Sequence, residues 1–180
     1  MINNYYITIF NVLFSSIVFS IEISSQNHEL LKTLYTNLEW TNIKITSDSI
    51  FISEKTIKNS YLSALKVEKE FDINPEYFRN VIMNVNGYGS FLSNSESLYS
   101  KVIDYTPDGI IGYQHIKVDY PFINDRDYFF YMSENPFDDQ LSNTICYWFL
   151  LDYEQIPDRF NEKENITYLK EGAGLWKWEI

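Results

Sequence analysis

The chain of 180 residues is 45% apolar, enough for one domain with a packed core and little for two. Its formal charge of -11 repels phosphate backbones and anionic lipid, which excludes nucleic acid as a partner and limits membrane contact to a transient one. Aromatics reach 18%, with 15 Tyr, 13 Phe and 4 Trp, a supply that serves equally to pack a β-rich core or to line a cavity.

From the N-terminus, residues 1–20 carry no charged side chain, and the apolar stretch from Tyr5 to Phe19 has signal-peptide length. It is shorter than the roughly 20 apolar residues of a membrane span. Ser24, Ser25 and Gln26 suit a cleavage region. The expected division is a signal peptide over 1–26 and one domain over 27–180, exported to a periplasm or secreted. The segment before the apolar stretch lacks Lys and Arg, so an uncleaved anchor is the alternative.

Between His28 and Trp40 the residues Leu30, Leu31, Leu34, Tyr35 and Leu38 recur at helical spacing. Strands are expected at Ser49–Ser53 and Tyr61–Phe71, the second alternating Leu65 and Val67 against Lys66 and Glu68 as if one face were wet. Asn74, Pro75 and Glu76 open a helix to about Asn84, with Tyr77, Phe78, Val81, Ile82 and Val85 on one side. Gly87 and Gly89 then release the chain into a loop through Ser97. Further strands follow at Leu98–Thr106, Gly109–Val118, Arg126–Ser133, Asn143–Leu151, Ile166–Leu169 and Leu175–Glu179, punctuated by Pro107-Asp108-Gly109, Asn124-Asp125 and Asn135-Pro136. Short connections between consecutive strands predict an antiparallel meander.

Catalytic signals are scarce. Cys146 is the single cysteine, so no internal disulfide exists, and its apolar run Ile145–Phe149 marks a buried, inert thiol. His28 and His115 stand in no catalytic motif and, with Cys146, have no metal-ligand spacing. Asp138-Asp139 and the Asp125, Asp127 pair read as solvated turn charge rather than a Ca²⁺ site. No metal or cofactor is expected, and no phosphate loop or nucleophile elbow occurs among the 6 Gly. Asn165-Ile166-Thr167 matches a glycosylation sequon.

The order of helix, strands, a helix opening on Asn74-Pro75-Glu76, and a meander carrying Tyr120-Pro121-Phe122-Ile123-Asn124-Asp125-Arg126-Asp127-Tyr128 resembles the START lipid-transfer family. Its wider group is the helix-grip superfamily. The Arg126-Asp127-Tyr128-Phe129 strand start after Pro121 is the sharpest match. Leu65-Lys66-Val67-Glu68, Pro157, Ile166-Thr167-Tyr168 and Gly174-Leu175-Trp176 extend the similarity over residues 38–178. The resemblance implies an α+β, helix-grip fold in which a curved antiparallel β-sheet with helices packed on it encloses a lipid or other apolar small molecule. It implies carriage rather than catalysis.

Strand alternation under that resemblance directs Arg126, Tyr128, Phe130 and Met132 into the cavity. By similar reasoning Tyr113, His115, Thr144, Cys146, Trp148 and Leu150 join them as ligand-binding candidates. Plain core packing is the competing assignment for each. Arg126 and Asp127 are also read as a strand-start pair, with Asp127 in solvent and Arg126 on carbonyls or a carboxylate at the sheet margin. Sterol-transfer members carry a second Arg where this chain has Met132, which argues against a sterol. The family's long C-terminal gripping helix is missing from this sequence, so the expectation is an incomplete domain, or a dimer if the chain is complete. The alternatives are a cyclase or aromatase-like enzyme using Tyr113, His115, Arg126 and Tyr128, and a ligand-free interaction module.

Overall fold

A computed structural model of the chain describes residues 21–58, 63–91, 97–134, 144–156 and 166–178. The expectations placed on residues 1–20, Tyr61, Leu62, Asn135-Pro136, Asp138-Asp139, Pro157 and Asn165 lie outside the described residues.

Helix α1 (Ser25–Tyr35) begins where the Ser24 side chain accepts a hydrogen bond from Asn27 N at 3.1 Å, satisfying one of the free N–H groups of the first turn. Asn27 is buried and its side chain donates to the Leu150 carbonyl at 3.0 Å, while Ile21 and Ile23 pack on the core. Ser24 and the first residues of α1 thus join the fold. The helix also ends before Trp40. The backbone becomes extended at Thr36, Glu39 takes a positive φ of 66°, and Trp40 Nε1 donates to the Thr36 carbonyl at 2.8 Å. Leu38 continues the apolar period but is exposed.

Strands β1 (Thr41–Ile45), β2 (Phe51–Thr56) and β3 (Ser63–Glu68) form a small antiparallel sheet. β1 was not among the expected strands, since Thr41–Ile45 carries little alternation. The wet-face assignment of β3 is reversed: Leu65 and Val67 are 67% and 65% exposed, and Ala64 is buried. Trp40 explains the inversion. Its ring lies 5.5 Å from Lys55 Nζ and 5.4 Å from Lys66 Nζ, so the aliphatic stems pack inward beneath their charges. Lys55 is buried and donates to the Thr33 carbonyl at 2.9 Å and to Thr36 Oγ1 at 2.8 Å. A cation thus meets the negative end of α1 and ties the small sheet to it.

Helix α2 (Pro75–Met83) starts as its sequence directs, with Asn74 Oδ1 accepting from Glu76 N at 2.9 Å and Pro in the first turn. The expected loop after it is instead a 3₁₀ turn (Val85–Gly87) and a short helix α3 (Tyr88–Phe91). Strands β4 (Leu98–Thr106), β5 (Gly109–Ile116), β6 (Asp125–Ser133), β7 (Thr144–Leu150), β8 (Ile166–Tyr168) and β9 (Ala173–Lys177) form the main sheet in the order β4-β5-β6-β7-β9. It is not a pure meander. β7 pairs antiparallel with Phe130–Ser133 only, and β8 takes the remaining edge of β6 by pairing parallel with Asp125–Asp127. β9 returns to the far side of β7.

Both faces of this sheet are covered. Leu31 of α1 packs on Ile111, Phe129, Tyr131 and Phe149, and Ile82 and Val85 pack on Ile110, Phe130, Met132 and Leu150. The architecture is α+β, with a mostly antiparallel six-stranded sheet and few helices. No helix among the described residues is long and apolar enough to cross a membrane.

Two stability outcomes follow. A chain begun at Asn27 loses the Ser24 cap and the Ile21 and Ile23 contacts, so it should be less stable than one begun at Ile21 by about 1 kcal/mol or more; equal melting temperatures would show that these contacts contribute nothing. Lys55→Met keeps the stem but removes the ammonium from two acceptors, and urea unfolding should show a loss of roughly 1.5–3 kcal/mol.

Candidate ligand-binding site

Alternation along β6 sends Tyr128, Phe130 and Met132 to the face beneath α2 and α3, and antiparallel register sets their neighbours. Gly112 lies opposite Phe130, Gln114 opposite Tyr128, Trp148 opposite Met132, and Gly174 opposite Trp148. A Cβ at Gly112 would stand 2.2 Å from Phe130 Cζ, and one at Gly174 2.5 Å from Trp148 Cζ2. Each ring therefore lies across a glycine on the next strand, and the pair makes an aromatic floor.

Above the floor, α2 supplies Phe78, Val81 and Ile82, α3 supplies Tyr88 and Phe91, and Trp176 of β9 stands edge-on to Phe78 with ring centroids 5.8 Å apart. The space between measures about 330 Å³, at the small end of the roughly 300–1,000 Å³ usual for ligand sites. Val81, Phe91 and Trp176 remain 39%, 46% and 45% exposed and mark its open side. The lining side chains Tyr88, Gln114 and Tyr128 are hydrogen-bonded to one another or to the wall. Tyr128 Oη donates to Gln114 Oε1, Gln114 Nε2 donates to Ser100 Oγ at 3.1 Å, and Tyr88 Oη donates to the Ile82 carbonyl.

The structure divides the ten side chains singled out from the sequence. Tyr128, Phe130, Met132 and Trp148 line the cavity, while Cys146 and Leu150 belong to the buried cluster on the same face. Arg126 stays outside the lining and donates to the Asn124 carbonyl at 2.8 Å. Thr144 opens β7 opposite Lys177, and its side chain lies outside the described ones. Tyr113 and His115 are carried to the other face because they pair with Phe129 and Asp127, residues of opposite parity to Tyr128. The four residues of the enzyme alternative are thus split between two faces.

On that other face the acids expected in solvent enclose a histidine. His115 Nδ1 lies 2.5 Å from Asp127 Oδ1 and Nε2 lies 3.3 Å from Asp125 Oδ2, while Tyr113 Oη donates to Asp127 Oδ2 at 2.7 Å. The carboxylates grip opposite edges of the imidazole and do not converge on one point. No group of three or more metal-ligating side chains suited to an ion occurs among the described residues.

Sequence reasoning missed Gln114, Trp176 and the helical residues of the lining. Gln114 was recoverable, since antiparallel pairing forces it to share a face with Tyr128. Phe78, Val81 and Ile82 had been placed on one helix face without a destination, because no local signal says which sheet face that helix covers.

Burial governs titration around the cavity. It pushes the Tyr128 hydroxyl and the Cys146 thiol each up to about 12, the thiol with help from the nearby Glu134 charge, and it raises Tyr88 further. Tyr113 is also raised, first by burial and then by its bond to Asp127. No known family model matches this chain, and no curated protein matches it.

Because these groups hold protons in the folded state that the unfolded chain releases, stability is complete below their ordinary values and falls as pH rises through them toward about 12. The melting temperature should drop steeply between about pH 9 and pH 12, and Cys146 should resist thiol reagents until unfolding; rapid labelling of the native protein would contradict its burial.

Proposed function

We propose that this chain binds, and carries, an apolar small molecule in the cavity between its main sheet and α2–α3, in the manner of a helix-grip protein with a curved sheet. The observation that carries the proposal is the cavity itself: an aromatic floor, an apolar ceiling and an open side in one place. Tyr128 and Gln114 in its lining are bonded to each other, which suits retention rather than a reaction. The START-like order of elements and the apolar N-terminal stretch support an exported carrier that is not an enzyme. The acidic charge of -11 disfavours lasting attachment to anionic membranes.

The second proposal is a ligand-free interaction module, favoured by the outward Ile43, Ile45, Leu65 and Val67 of the small sheet, each with more than half its surface in water. One experiment separates the two. Mass spectrometry of an organic extract from the purified chain, set against a mock purification, should show a stoichiometric apolar compound, and Gly112→Ala should reduce its occupancy by lifting the Phe130 ring into the cavity. An empty extract together with tryptophan fluorescence indifferent to added apolar probes would favour the interaction module.

A further inference from the structure

The apolar-ligand proposal, on which this inference rests, does not say what polar group the ligand carries. The row Ser100, Gln114 and Tyr128 bears on that. Antiparallel register sets these residues side by side on β4, β5 and β6. Tyr128 Oη donates to Gln114 Oε1, and Gln114 Nε2 donates to Ser100 Oγ at 3.1 Å. Gln114 is 8% exposed and belongs to the cavity lining.

A carboxamide carries two N–H groups, and the bond to Ser100 uses one of them. The other has no partner among the described residues. Side-chain length tells which one is spare. A serine hydroxyl sits directly on Cβ, close to the strand, whereas the glutamine nitrogen stands at the far end of a longer stem. The proton given to Ser100 is therefore the one turned back toward the sheet, and the spare proton points off the sheet into the space beneath α2 and α3. Trp148 and Trp176 add indole N–H groups to the lining that likewise make no hydrogen bond among the described residues.

An N–H turned into an apolar cavity without an acceptor costs about 1–3 kcal/mol. A hydrocarbon ligand leaves that cost in place, and a ligand with an acceptor removes it. A carbonyl oxygen accepts near the plane of its substituents and has no proton of its own to place, so it suits a single amide donor on an apolar wall. Size narrows the ligand further: about 330 Å³ at ~30 Å³ per water-sized group holds on the order of ten heavy atoms.

We propose that the cavity takes a compact carbonyl compound, a ketone or ester of that size, seated with its carbonyl oxygen on the spare N–H of Gln114. Ser100 and Tyr128 fix the two ends of the amide and so position the donor.

The test is a calorimetric titration of the full chain near pH 8 with 1-indanone and with indane, its hydrocarbon counterpart. Gln114→Met is made in a Tyr128→Phe background, so that no freed phenol replaces the lost donor. Relative to Tyr128→Phe alone, the added change should lower the preference for 1-indanone over indane about three- to tenfold. In the unaltered chain the infrared carbonyl stretch of bound 1-indanone should lie below its frequency in hexane, and it should rise again in the double variant. An unchanged preference would overturn the assignment to Gln114. A stretch in the unaltered chain no lower than in hexane would do the same with no variant needed. Binding of indane without 1-indanone would overturn this inference and leave the apolar-ligand proposal standing, whereas failure of both to bind would remove the two together.

Discussion

Strand β6 has to bury both of its faces, and the rest of the molecule is arranged around that requirement. Phe129, Phe130, Tyr131 and Met132 are consecutive and all buried, so the strand needs covering layers above and below as well as partners on both edges. β5 supplies one edge along nearly its whole length. The other edge is shared, β7 beside the last residues and β8 beside the first. α1 answers one face and α2 with α3 the other. Because side chains alternate strictly, the chemistry of the two faces is separated at the level of single residues: Asp127 joins His115 and Tyr113, while Tyr128 one step on enters the apolar cavity.

The cavity exists because two strand positions lack a side chain. Gly112 and Gly174 lie opposite the largest rings on the floor, and each allows its partner ring to recline across the neighbouring strand. With a side chain at either position the ring would have to stand up, filling space that is now open. Glycine weakens a strand by removing packing surface, but here the ring of the opposing residue covers the exposed backbone and restores that contact. An apolar site is thereby created without an unpaired buried polar group in the lining.

Much of this arrangement was legible in the sequence where the signal was local. The cap and proline of α2 and the bounds of β4 depend on residues within a few positions of one another, whereas the inward direction of Arg126, Tyr128, Phe130 and Met132 rests on the resemblance, and Arg126 lies outside the lining. What failed depended on pairing. Tyr113 and His115 were assigned to the cavity because the parity of β5 is set by its register with β6, which no residue in β5 reveals. β3 was inverted for a similar reason: alternation marks two faces but does not say which is covered, and Trp40, distant in sequence, made the lysine-bearing face the inner one. The parallel β8 was unreadable because it fills an edge that only the shortness of β7's pairing leaves open.

The polar groups on the two faces are used differently. Around His115 the partners are charged or bonded to charge and lie partly exposed, where water can stabilise them. Around the cavity the polar side chains of Tyr128, Gln114 and Ser100 are neutral and bonded to one another. A low-polarity enclosure strengthens such a neutral relay and penalises any ion placed beside it.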